Sequence, residues 1–91
     1  HALASVETPR GQMLMMSESL SHAGALLRSP CVLELGAKVV VKISIGAEKL
    51  TLPGRVVRLR RGSMTMPQAI AVSWDLDDEA RVILEAALET L

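Results

Sequence analysis

Ser17-Glu18-Ser19-Leu20-Ser21-His22-Ala23-Gly24-Ala25-Leu26-Leu27 lies between the apolar runs Met13–Met16 and Leu26–Leu27. Small polar residues and a glycine between two strand-like runs predict a strand end, a tight polar corner and a new strand. Short serine hydroxyls can bond backbone groups or a bound anion. Gly24 permits either a positive φ or close approach of another group to the backbone.

The pattern on either side is that of a β protein. Upstream, Ala2, Ala4 and Val6 alternate with Leu3, Ser5 and Glu7, a weak strand pattern, and Pro9-Arg10-Gly11 is a turn signal. Met13–Met16 reads as a buried strand whose thioethers fill an irregular core gap. Downstream, Pro30 belongs at an edge or a turn, and Val32-Leu33-Glu34-Leu35-Gly36 reads as a short connection with apolar anchors. The clearest strand follows, with Val39, Val41, Ile43 and Ile45 on one face and Val40, Lys42 and Ser44 on the other.

A hairpin at Gly46-Ala47-Glu48-Lys49 returns through Leu50-Thr51-Leu52, and Pro53-Gly54 signals a bulge or a break in pairing. The strand resumes from Arg55 to Arg60, Gly62 to Gln68 reads as a mobile loop, and Ile70, Val72 and Trp74 mark the last strand. Asp75 or Asp77 starts a helix. Ala80, Ile83, Leu84, Ala87, Leu88 and Leu91 form its apolar stripe, and Glu85 and Glu89 fall on the wet side. The expected architecture is a single, mostly β domain over 1–91. It is a small antiparallel barrel with strands over about 12–74 and a C-terminal α-helix over about 76–90.

Composition narrows the function. Of 91 residues, 49% are hydrophobic and 1% aromatic, so the core is built from aliphatic side chains and Met, and base stacking has no platform. A formal net charge of 0 gives no global field toward nucleic acid or an anionic membrane. One cysteine, Cys31, cannot pair within the chain, which suits a reducing cytoplasm. No apolar run is long enough for a bilayer, and no segment has the order of a signal peptide.

Enzyme chemistry finds no constellation. His1 and His22 are the only histidines, no third group orients a Ser21–His22 pair, and Cys31 with His22 is too little for a metal. The acids Asp75, Asp77, Asp78 and Glu79 read as helix-capping residues rather than a calcium loop. Arg55, Arg58, Arg60 and Arg61 are the one strong charge feature. Simple alternation places Arg58 and Arg60 on one face and Arg55 and Arg61 on the other. Such a strand serves either as an anion site or as an edge protected by charge against aggregation.

Ser19-Leu20-Ser21-His22-Ala23-Gly24 resembles the (Asp/Asn)-x-Ser-x-x-Gly signature of PilZ domains, small bacterial β-barrels that bind cyclic di-GMP. Ser21 and Gly24 match, and Ser19 stands where the family has Asp or Asn. Further matches follow in order: Val32–Gly36, the strand Val39–Ile45, Gly54-Arg55-Val56-Val57-Arg58 against Gly-x-Val-Val-Arg, and Ile70–Trp74 with Trp74 at a usual Phe position. The likeness runs from Met13 to the C-terminus.

The resemblance implies a non-enzymatic regulatory domain of cyclic di-GMP signalling in the bacterial cytoplasm, with a candidate ligand corner of Ser19, Ser21, Gly24 and Arg58. Cyclic di-GMP is then a ligand rather than a cofactor, and no metal is implied. In the family an upstream Arg-x-x-x-Arg pair clamps the guanines and phosphates. Here Arg10 is the only arginine before Ser19 and has no partner four positions away. The implied pocket is therefore incomplete within these residues. The implied partner is another protein or a neighbouring domain, with no nucleic acid and no membrane insertion. Two alternatives stay open: a ligand-free structural barrel that self-associates through Val40, Lys42 and Ser44, and a nucleic-acid barrel using the arginine strand, whose patch is small.

Overall fold

A computed structural model describes residues 2–90; His1 and Leu91 lie outside the described residues. Six strands, β1 (Ala2–Thr8), β2 (Gly11–Leu20), β3 (Gly24–Ser29), β4 (Lys38–Ile45), β5 (Glu48–Arg61) and β6 (Gln68–Trp74), precede one helix, α1 (Asp78–Leu88). The strands pair antiparallel in the order β1-β2-β3-β6-β5-β4 and close into a barrel.

Closure falls to β1, which the sequence marks only weakly and which lies upstream of the expected first strand. It pairs with β2 from Ala2↔Ser17 to Thr8↔Gly11, and with β4 at Ser5↔Lys42, Val6↔Val41 and Glu7↔Val40. Ala4 and Val6 face the core and Leu3 faces out. Alanine is a poor strand former, so the barrel rather than local propensity fixes this segment as a strand.

The interior is lined by alternate residues of every strand, among them Val6, Met15, Leu27, Val41, Val56 and Ile70, each at 0 or 1% exposure. The Met13–Met16 run is not buried as a block. Met15 is enclosed, Met13 packs on the core margin and Leu14 is 59% exposed, because strand side chains alternate whatever their hydrophobicity.

At one end of the barrel lie the β1–β2 turn, residues 30–37 and the β5–β6 loop. Only Leu33 of the expected apolar anchors plugs this end, at 2% exposure; Val32 and Leu35 are exposed. Gln68, expected in a loop, is the first residue of β6. Its amide accepts from the Leu33 N–H (2.8 Å) and donates to the Leu33 carbonyl (3.2 Å). Gln68→Leu leaves both Leu33 groups unpaired. The expected cost is about 2–3 kcal/mol in urea unfolding, with faster proteolysis across residues 30–37; a cost below about 0.5 kcal/mol would refute this role for the amide.

At the other end, the β4–β5 hairpin turns on Gly46 (φ +61°) and Ala47 between paired Ile45 and Glu48. A two-residue hairpin turn with positive φ at its first position selects glycine there. The helix covers this end with Leu84 and Ala87. Asp77 is its N-cap, accepting from the Ala80 N–H at 2.8 Å, while Asp75 pairs with Arg55 at 3.3 Å. The helix buries a narrower stripe than its sequence suggests: Ile83 is 46% exposed, because a short helix laid across the mouth of a small barrel meets it along one line.

Two bulges set which side chains face out. In β2 the pairing steps from Ser17↔Leu27 to Ser19↔Leu26, so Glu18 is the extra residue and Ser19 turns outward. In β5 the expected break at Pro53-Gly54 is absent, and Val40↔Pro53 and Val39↔Gly54 stay in register. The irregularity falls instead at Val57, between Val56↔Val72 and Arg58↔Ala71. Val57 is 53% exposed, and the extra residue shifts the phase of alternation. Arg55 therefore shares the outer face with Arg58 and Arg60, which corrects the simple alternation.

Candidate functional site

The corner is tighter than the sequence suggests. β2 runs through Ser17, Glu18 and Ser19 to Leu20, leaving Ser21, His22 and Ala23 as the whole connection to β3. Ser17, 5% exposed, faces the barrel interior and bonds Ala2 through its hydroxyl, so it belongs to the core.

Ser21 forms the corner. Its N–H donates to the Gly24 carbonyl at 2.8 Å. Its hydroxyl accepts from the N–H groups of Ala23 and Gly24, both at 3.3 Å, and donates to the Gly24 carbonyl at 3.3 Å. This local side-chain turn is what serine at such a position supplies. It also occupies the hydroxyl's donor and two acceptor sites.

Gly24 is required by space, not by φ, since the positive-φ glycines are 11, 36 and 46. A Cβ on Gly24 would lie 1.9 Å from the Val72 carbonyl oxygen and 3.0 Å from its carbon. β3 and β6 approach there more closely than a side chain allows.

Trp74 holds the corner from behind. It is 5% exposed, its indole N–H donates to the Ser21 carbonyl at 3.0 Å, and its backbone N–H donates to the Ala23 carbonyl at 3.0 Å. Read as a strand residue, Trp74 gives no sign of this role. The available signal is that a lone indole in a chain with no other aromatic residue must place its N–H somewhere.

The four expected site residues do not converge as one cluster. Ser21 and Gly24 are bonded to each other. Ser19 and Arg58 lie on one transverse row, Ser19↔Leu26↔Ala71↔Arg58, three strand spacings apart, or about 14 Å along the sheet. The row of Gly24 leads through Ser73 to Arg55, only about 10 Å away. Along the sheet Arg55 is thus the arginine whose backbone lies nearer Gly24, and sequence spacing missed it because nothing in Val56-Val57-Arg58 announces a bulge. His22 is exposed at the tip. Ser19 instead borders a shallow hollow of about 250 Å³ with Ala2, Leu20 and Ile43–Ile45.

Arg10 lies at the far end of the barrel from this corner, in the β1–β2 turn. Its guanidinium donates to the Val32 carbonyl at 3.2 Å. Among the described residues, no three of His, Cys, Asp and Glu converge to hold a metal ion. No described helix is long and apolar enough to cross a membrane.

The same architecture occurs in a solved structure, the PilZ domain of CeSA from a cellulose-synthesising bacterium. The likeness has a TM-score of 0.65 at 23% identity, covering 97% of this chain and 92% of that one. No curated protein sequence matches the chain. The PilZ domain family model matches residues 1–90. With the Ser21–Gly24 corner joining two strands of a closed barrel, and with the family's sequence pattern spanning nearly its whole length, this chain belongs to the PilZ domain family.

Proposed function

We propose that this domain is a non-catalytic regulatory module of bacterial cyclic di-GMP signalling whose nucleotide pocket is incomplete within these residues, and that it works in the cytoplasm through contacts with another protein or a neighbouring domain. The observation that carries this reading is the contrast between two halves of one site. The Ser21–Gly24 corner is intact, while the only arginine before it, Arg10, serves a turn at the opposite end of the barrel.

The energetics support a weak pocket. Each charge-assisted hydrogen bond contributes about 1.5–3 kcal/mol. Lacking two forked arginines therefore costs about two to four powers of ten in affinity. Ser19 in place of Asp or Asn supplies a shorter side chain without a charge. The Ser21 hydroxyl is already committed to the turn, so it has little capacity left for a ligand phosphate.

The test is a calorimetric titration with cyclic di-GMP, read in parallel by the fluorescence of Trp74, whose indole touches the corner. The expected result is no heat and no spectral shift at micromolar nucleotide. A sub-micromolar Kd would overturn the incomplete pocket.

A further inference from the structure

On the outer face, at the other end of β3 from the corner, two arginines hold one carboxylate, and a third lines the cleft beside them. Arg28 on β3 donates through Nε to Glu18 Oε1 at 2.5 Å, and Arg60 on β5 reaches Glu18 Oε2 with Nη2 at 3.7 Å. The two arginines are in register with Ala69 of β6, which lies between them at 4% exposure. Arg61 and Ser63 complete the rim of a cleft of about 290 Å³.

Stability does not account for this arrangement. Side-chain exposure is 50% for Arg28 and 66% for Arg60, and ion pairs so open to water contribute little to folding. Glu18, by contrast, is only 17% exposed and is the extra residue of the β2 bulge, so the chain departs from regular pairing at the point where it delivers this carboxylate. The charged residues lining the cleft, Arg28, Arg60 and Arg61 with Glu18, sum to a formal +2 in a chain of net charge zero. The Glu18 oxygens mark where an oxyanion is held. A phosphate group brings more charge and a third oxygen to the same forks, and guanidinium geometry matches it two prongs at a time.

We propose that the cleft between Arg28, Arg60 and Arg61 is a binding site for a phosphate group, and that the Glu18 carboxylate occupies it as an internal counter-ion until a phosphate displaces it. The phosphate belongs either to a soluble phosphoester or to a lipid headgroup, which share this chemistry. The site does not depend on the corner. Gly24 and Arg28 are four residues apart on β3, about 13 Å.

The probe is inorganic phosphate, titrated at low ionic strength and followed by phosphorus NMR line broadening. It needs only the arginines, so its outcome is separate from that of cyclic di-GMP at the corner. The wild-type chain should bind saturably. Arg28→Gln with Arg60→Gln should weaken binding at least about tenfold, the loss of two charge-assisted forks. Glu18→Gln should strengthen it by roughly threefold to tenfold, since it removes a competing charge. Circular dichroism spectra of all variants should match wild type, and if the arginine pair variant fails to fold, the Glu18→Gln gain still decides. A second arm measures co-sedimentation with phosphatidylglycerol vesicles against phosphatidylcholine vesicles. Arginine-dependent binding to phosphatidylglycerol without a response to free phosphate assigns the group to a lipid headgroup. A response to free phosphate with no arginine-dependent gain on phosphatidylglycerol vesicles assigns it to a soluble ester, and a response to both probes supports the site. No saturable response to either probe by wild type or Glu18→Gln, or affinities equal across all variants, overturns the proposal.

Discussion

Gly24→Ala should lower the stability of this domain by about 4 kcal/mol, at the upper end of what one methyl group does. The added Cβ would meet the Val72 carbonyl oxygen at 1.9 Å and Ser73 Cα at 3.3 Å. Relief requires β3 to separate from β6 by more than an ångström. That separation is opposed on both flanks, because β3 pairs with β2 on one side and β6 with β5 on the other in a closed ring. Backbone contacts cannot rotate out of the way as the end of a side chain can. A domain of this length has about 5–14 kcal/mol in total, so the variant should be largely depleted of stability. Urea unfolding followed by Trp74 fluorescence measures this directly. A loss under about 1 kcal/mol would mean that the strands can part at little cost and that the glycine is not required by space.

Trp74→Ala should cost about 3–5 kcal/mol and lower Tm by upwards of about 12 °C. Two losses combine. The largest side chain of the barrel interior vanishes from a site 5% exposed, leaving a cavity that aliphatic neighbours cannot fill. The indole N–H that fixes the Ser21 carbonyl is also gone. Trp74→Phe separates the two, since it keeps most of the volume and loses only the bond, at about 1 kcal/mol. Thermal melts of both variants by circular dichroism decide the matter. Equal melting temperatures for the Ala and Phe variants would show that volume at this position contributes nothing.

These two residues also show how far the sequence could be read. Gly24 was marked as important by its place in the Ser-x-x-Gly spacing, but of the two reasons a glycine offers, only the barrel selects one. Close approach depends on β6, which follows more than forty residues later and pairs with β3 only when the ring closes. The alternation of Ile70, Val72 and Trp74 puts Trp74 in the last strand, yet its hydrogen bond to Ser21 spans a separation of 53 residues that no local pattern encodes.

What the sequence determined by itself was local pattern wherever no bulge intervened. The alternation of Val39, Val41, Ile43 and Ile45 set the inward face of β4, the acids after Trp74 set the helix start, and the Ser21–Gly24 spacing set the corner and the family. Each follows from side-chain direction or local hydrogen bonding within a few residues. What only the tertiary structure decided was phase and partnership. The bulge at Val57 brought Arg55 to the outer face, the bulge at Glu18 turned Ser19 outward and set a carboxylate between two arginines, and ring closure made a strand of Ala2–Thr8. A bulge is the adjustment that lets twisted strands of unequal path length meet around a closed barrel, so its position is a property of the whole ring rather than of any one strand.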